Sequence, residues 1–202
     1  MSVEFIQSGP GDTDFREIDA WGQRWERRVF EHCDFSGAGL EELKTAGCAF
    51  IGCDFTRADL SLSRHEGSAF VACRFVETRL RDAWFGDCKF SGSTIDRIGA
   101  RDIAFVGGDF SGVSFGATKL REQQLSGARL ADANLVDTDL TGSDLSGADL
   151  SGVRLGNTTL RDVDLRGARV AGLDPRLADL RGARVDVEQA LALVGVFGVV
   201  IG

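Results

Sequence analysis

Ala148-Asp149-Leu150-Ser151-Gly152 reads small, polar, large apolar, polar, glycine, and the same five-residue phrase runs outward from it in both directions. The large apolar residues fall on position numbers divisible by five. Thirteen of the 14 phenylalanines do so, Phe197 alone standing outside, and from Phe15 to Val185 the fifth position is Phe, Leu, Ile or Val at 29 of 35 places. Neither a helix nor a long alternating strand has this period, so each unit is one short strand and one corner of a stacked repeat. Two positions before the large residue stand Cys33, Ala38, Cys48, Ala58 and Thr78, small enough to point inward beside it. Two positions after it stand Gly37, Gly92, Gly127 and Gly147, where a corner asks for dihedrals that glycine adopts at little cost.

This phrase resembles the pentapeptide-repeat proteins. The resemblance implies an all-β, right-handed quadrilateral β-helix, a solenoid with four repeats per coil, so that residues 20 apart stack. One column of large residues then reads Phe30, Phe50, Phe70, Phe90, Phe110, Leu130, Leu150, Val170, and the next Phe35, Phe55, Phe75, Ile95, Phe115, Leu135, Leu155. A third reads Leu40, Leu60, Leu80, Ala100, Leu120, Leu140, Leu160, Leu180. Like falls on like. The weakest positions, Thr45 and His65, share the fourth column and predict a local irregularity there. About eight coils at a spacing of about 4.8 Å make a rod roughly 40 Å long.

The chain is expected to be one domain: residues 1–29 an atypical capping coil, 30–185 the β-helix, and 186–202 a short helix with a hydrophobic tail. Two prolines and 26 glycines suit a continuous ladder. No basic segment followed by an apolar run opens the sequence and no stretch is long enough to span a bilayer, so the expected location is the cytoplasm, with no membrane contact. All five cysteines occupy the inward small position, as compact hydrophobes rather than ligands or bridges. His32 and His65 lie on different sides without metal-ligand spacing, and phosphate-loop and nucleophile-elbow motifs are absent. The expectation is a protein that is not an enzyme and carries no metal or cofactor.

Charge is arranged in columns. Lys89, Asp109, Arg129, Asp149 and Arg169 alternate in sign, which favours correct register. Arg81, Arg101, Arg121, Arg161 and Arg181 run beside Asp82, Asp102, Glu122 and Asp162, either as a salt-bridged face or as a docking stripe. The net charge of −8 opposes direct nucleic-acid binding. It permits the opposite role, an acidic rod that occupies a DNA-binding surface.

Both sheet edges need covering. At the N-terminus only Phe5, Phe15 and Trp25 keep the pattern, with Trp21, Arg24, Arg27 and Arg28 added. At the other end Asp186 followed three residues on by Gln189 reads as a capping box opening a helix to about Val194. The charge-free tail from Gly195 to Gly202 is either the seam of a twofold dimer or a cover for its own last coil.

Within the family the sequence is most similar to the fluoroquinolone-resistance MfpA/Qnr group, through His65-Glu66-Gly67-Ser68-Ala69-Phe70, Leu135-Val136-Asp137-Thr138-Asp139-Leu140 and the segment from Leu180 to Ala190. The repeat register runs without a break, which implies a rod with no projecting loops. The resemblance implies a homodimer joined through C-terminal residues that engages DNA gyrase or topoisomerase IV in place of DNA. The outcome would be altered supercoiling, protection from fluoroquinolones or a similar poison, or both. Asp132, Asp137, Asp139, Asp144, Asp149 and Asp164 are then the phosphate surrogates, and Val187, Leu191, Val194, Phe197, Val199 and Ile201 the dimer seam. The alternative is a scaffold or regulatory rod that binds another protein through the Arg81 to Arg181 face.

Overall fold

A computed structural model describes residues 13–98 and 103–200; Phe5, Ala100, Arg101, Asp102 and Ile201, named above, lie outside them. The chain winds into a quadrilateral β-helix of about eight turns that ends in one short helix. Pairing is parallel and links residues 20 apart, as in Phe30↔Phe50↔Phe70 and Phe75↔Ile95↔Phe115. Strands are at most three residues long, because inward and outward positions alternate only that far before the corner. The strands Arg24–Glu26, Lys44–Ala46, Arg64–Glu66, Trp84–Gly86 and Ala104–Val106 form a five-stranded sheet on one side. In the leucine-rich half the ladder continues mostly as single bridges down to Asp164↔Arg184, with one short strand pair, Thr158–Thr159 on Ala178–Asp179.

The ladder also starts upstream of residue 30. Asp14 pairs with Asp34, Asp19 with Gly39 and Arg24 with Lys44, so residues 13–29 already form a regular rung with Phe15 and Trp25 as its inward residues. The small Ala20 takes the inward position between them and is fully buried.

Phenylalanines stack along the axis at the rung spacing. Ring centroids are 4.9 Å apart from Phe30 to Phe50 and again from Phe50 to Phe70, with near-parallel planes. Rings on adjacent sides meet edge to face, as Phe50 does with Phe55 at 5.5 Å. Both are favoured aromatic geometries. The small inward position carries a second function. Cys53 and Cys73 each donate a thiol hydrogen to the carbonyl of Phe30 and Phe50, 3.4 and 3.2 Å away, and Thr78 and Thr138 do the same with hydroxyls to Phe55 and Phe115. Cys, Thr and Ser there tie one rung to the last. All five cysteines are buried and none forms a disulfide.

Corners are left-handed whether or not glycine occupies them: Arg27, His32, Asp82, Asp132 and Asp162 all have φ between 50° and 60°. Glycine leaves room where a corner side chain of the preceding rung lies across it, and a larger residue there would require that side chain to move. A Cβ on Gly52 would stand 2.7 Å from the His32 imidazole, and on Gly152 even closer to the Asp132 carboxylate.

The fourth column corrects the expectation of an irregularity. Thr45 and His65 sit in register between Trp25 and Phe85. Their polar atoms are absorbed by a buried hydrogen-bond chain instead. The Ser63 hydroxyl donates to the Leu60 carbonyl (2.7 Å), so His65 Nε2–H must donate to Ser63 Oγ (2.9 Å). That leaves Nδ1 to accept from Thr45 Oγ1 (2.8 Å), which in turn accepts from Ser68 Oγ (2.9 Å). The imidazole is fully buried and neutral.

Among the described residues the register departs from 20 at Val106. Val106 bridges Gln124, where a regular rung would bring Ser126. The Gln123 side chain bridges the gap, accepting from the Phe105 amide (2.7 Å) and donating to the Ile103 carbonyl (3.1 Å). Nearby, the Gly116 amide donates to the Ile95 carbonyl, and Thr118 Oγ1 is the one buried side-chain polar atom without a partner among the described residues.

The helix, Val187–Gly195, closes the last rung by imitating a next one. Asp186 and Gln189 form the expected capping box, and each also reaches back to the β-helix. Asp186 Oδ2 accepts from the Gly167 amide (2.9 Å), and Gln189 Nε2 donates to the carbonyls of Leu165 and Ala168. The carbonyl of Ala148, one rung earlier, is met by the backbone amide of Arg169. Side chains thus satisfy an edge that would otherwise remain open.

Candidate partner-binding surface

The residue before each large inward one points outward and is often Asp, which does two things there. In Asp34, Asp54, Asp109, Asp139, Asp144 and Asp149 one carboxylate oxygen accepts the amide two residues on, at 2.8 to 3.0 Å, and holds the corner. The other oxygen of Asp139 is taken by Arg121 at 2.7 Å, and those of Asp34, Asp54 and Asp149 face an arginine at 3.7 to 4.0 Å. Asn134 makes the same contact to the Val136 amide, at 3.4 Å, without the charge. The five-residue consensus shows the Asp but not its role as a turn acceptor; spacing to the following Ser or Thr was the signal.

The six candidate carboxylates wrap around the rod rather than forming one patch. Asp139, Asp144 and Asp149 occupy three successive sides of one coil, and Asp164 bridges Asp144 from the next rung. Asp132 and Asp137 stand at corners with φ near 60°. Three have cationic neighbours. Arg166 grips Asp164 at 2.5 Å and Arg121 grips Asp139 at 2.7 Å, while Arg169 is 3.8 Å from Asp149. Among the described residues Asp132, Asp137 and Asp144 have no such partner.

Acidity follows the contacts. Hydrogen bonds from Arg166 bring the Asp164 carboxyl down to about 2. Partial burial raises Asp139, but hydrogen bonds from Thr141 and Arg121 outweigh it and hold the group below its ordinary value. The hydroxyl and amide of Ser151 lower Asp149. These carboxylates stay ionised well into acid.

The described arginines of the Arg81 to Arg181 column, Arg81, Arg121, Arg161 and Arg181, are engaged internally. Arg81 faces Asp82 at 3.8 Å, Arg121 takes Asp139, and Arg161 and Arg181 both take Asp179, at 2.5 and 2.6 Å. In the alternating column, bridges link Lys89↔Asp109↔Arg129↔Asp149↔Arg169 in register. Of the ion pairs, Arg121 to Asp139, Arg161 to Asp179 and Arg169 to Asp149 link neighbouring rungs, while Arg81 to Asp82 and Arg181 to Asp179 lie within one.

At the C-terminus Val187, Leu191 and Val194 fall on one helical stripe, and Phe197 and Val199 follow it. Val187 is 77% exposed and Phe197 61%. Leu193 packs on the core from the opposite side. The helix therefore covers its own last coil and presents a separate apolar stripe outward. Trp25 is a core residue packed on Phe30 and capped by the Arg28 guanidinium, whereas Trp21 lies on the surface. Among the described residues no cluster of His, Cys, Asp and Glu could hold a metal ion, and no helix is long and apolar enough to cross a membrane.

The family model described as pentapeptide repeats matches in eight copies, over residues 33–64, 53–92, 109–147 and 124–162, more than half of the chain. Among solved structures, full-length QnrB1, a plasmid-mediated fluoroquinolone resistance protein, is 25% identical with a TM-score of 0.65, over 93% of this chain and 97% of that one. A trypsin-treated variant of QnrB1 gives 24% identity and a TM-score of 0.64, over 89% of this chain and all of the other. No curated protein matches the chain in sequence.

Proposed function

We propose, from the premise that this chain belongs to the pentapeptide-repeat family, that it is a DNA-mimicking protein. It engages a type II topoisomerase, DNA gyrase, and thereby modulates supercoiling, protects the enzyme from fluoroquinolones, or does both. The observation that carries this reading is the likeness to QnrB1, which runs nearly the full length of both chains. The physical reasoning is local. A slim rod offers outward carboxylate oxygens on successive sides of one coil, each pre-oriented by its turn hydrogen bond, as a surface that displaces a phosphate backbone requires.

Triple replacement Asp139→Asn, Asp144→Asn, Asp149→Asn removes three charges while keeping the turn acceptor that Asn134 illustrates. The concentration needed to affect gyrase supercoiling, with or without fluoroquinolone, should rise roughly tenfold, as three exposed pairs of about 0.5 kcal/mol each imply. Wild-type protein without effect at large molar excess would overturn the proposal. Insensitivity of the triple variant together with sensitivity of Arg121→Gln would favour the scaffold reading instead.

Two copies are proposed to join through the stripe of Val187, Leu191, Val194 and Phe197, since a self-complementary apolar patch at the end of a rod closes after two. Light scattering should give a dimer mass for the wild type and a monomer mass for Leu191→Asp with Phe197→Asp. A dimer that survives both changes would place the seam elsewhere.

A further inference from the structure

One column breaks the charge logic of the rest of the surface. On the five-stranded side, Arg24, Lys44 and Arg64 are direct register partners, and the next rung brings Trp84. Like charges opposite each other on neighbouring strands are destabilising. Elsewhere such columns are neutralised: the Arg81 to Arg181 column by Asp82, Asp139 and Asp179, and the Asp14, Asp34 and Asp54 column by Arg16 and Arg74. Here only Arg24 is paired, with Glu26 at 2.5 Å. Among the described residues neither Lys44 nor Arg64 has an ion-pair partner, and Ala46 stands beside Lys44 where a carboxylate would be needed.

Trp84 completes the arrangement. A Cβ on Gly86 would run into the far edge of the indole, so the ring lies flat across its own strand. One face is set against the backbone and the other turned outward, which makes it a platform for stacking. The three cations and the indole line a single groove of about 280 Å³ together with Thr45, Ala46 and Glu66. That size lies near the lower end for small-molecule clefts, roughly 300 Å³.

We propose that this groove binds a nucleotide, with the base stacked on Trp84 and the phosphates running along Arg64 and Lys44 towards Arg24. Three rung spacings of about 4.8 Å give a span of about 14 Å from ring to last cation, which suits a base, a sugar and a short chain of phosphates. Unpaired Lys44 and Arg64 supply the charge such a chain needs. Glu66 is placed to accept hydrogen bonds from sugar hydroxyls. The same chemistry is offered by a free nucleoside polyphosphate and by the end of a single strand. This site is independent of the acidic surface and shares no residue with it.

The full-length protein is titrated with ATP, ADP, AMP, adenosine, tripolyphosphate and a short oligothymidylate, following heat of binding and tryptophan fluorescence. ATP should quench saturably, with affinity falling through ADP and AMP and lost for adenosine. The quench should vanish in Trp84→Phe, and Kd should rise at least about tenfold in both Lys44→Gln and Arg64→Gln. These positions are on the surface, so unchanged melting curves establish that the variants fold. Tighter binding of the oligonucleotide, lost in the same variants, supports the site and identifies a strand as the source; preference for ATP identifies the free nucleotide. Tripolyphosphate binding as tightly as ATP, binding indifferent to the variants, or no saturable signal up to about 5 mM ATP overturns the proposal.

Discussion

Phe50→Ala should lower unfolding free energy by about 3–5 kcal/mol, the upper range for deleting a buried aromatic ring. Phe50 lies in the middle of a stack, 4.9 Å from both Phe30 and Phe70, and meets Phe35 and Phe55 edge to face at 6.0 and 5.5 Å. A gap there cannot collapse, because the rung spacing is fixed by backbone hydrogen bonds above and below, such as Ala69 N–H to the Cys48 carbonyl. The cost is therefore transfer of the ring plus nearly the whole cavity. In a solenoid each rung contacts only its neighbours, so the same change also weakens coupling between the two ends. Urea denaturation followed by circular dichroism should show an earlier midpoint, and it may be set against Trp21→Ala, a surface change expected to stay within about 0.5 kcal/mol. A loss below about 1.5 kcal/mol for Phe50→Ala would contradict a rigidly spaced core.

Acid should act on the protein through His65. Burial pushes its imidazole down to about 3 from an ordinary value of 6.5. The unfolded chain then binds a proton below pH 6.5 that the folded chain refuses until about 3. Stability is therefore fully present above 6.5 and declines as pH falls between the two, at about 1.4 kcal/mol per unit. The hydrogen-bond chain gives the molecular reason: a second proton on Nδ1 would face the Thr45 hydroxyl hydrogen already directed at it. His65→Phe should flatten this slope. Phenylalanine continues the column of Phe85 and Phe105, while Ser63 keeps the Leu60 carbonyl and Thr45 keeps Ser68. Equal slopes between pH 6.5 and 5 in wild type and variant would assign acid sensitivity to other groups.

Five-residue periodicity was enough to identify the inward residues, because they depend on size at a fixed position; the count of four columns came with the family resemblance, and the helix cap came from the spacing of two polar residues. Asp186 and Gln189 were legible from that spacing; their reach to Gly167, Leu165 and Ala168 was not, since it requires the end of the rod in three dimensions. His65 looked like a defect because a polar residue at a core position counts against the pattern, whereas Ser63, Ser68 and Thr45 make it regular. The corner carboxylates were readable as charge but not as turn acceptors. The grouping of Arg24 with Lys44, Arg64 and Trp84 was not legible, since they are spread over 60 residues and become neighbours only through the ladder.

Pairing at intervals of 20 also restricts how such a chain can change length. Removing five residues would rotate everything downstream by a quarter turn, so that Asp149 would come to stand where Asp144 had been and each outward column would be cut and spliced to its neighbour. Removing 20 would return all four columns to themselves and shorten the rod by one step. Viable relatives of different size are accordingly expected to differ by whole circuits, and any odd unit to be absorbed at the ends or at the slipped rung beside Gln124.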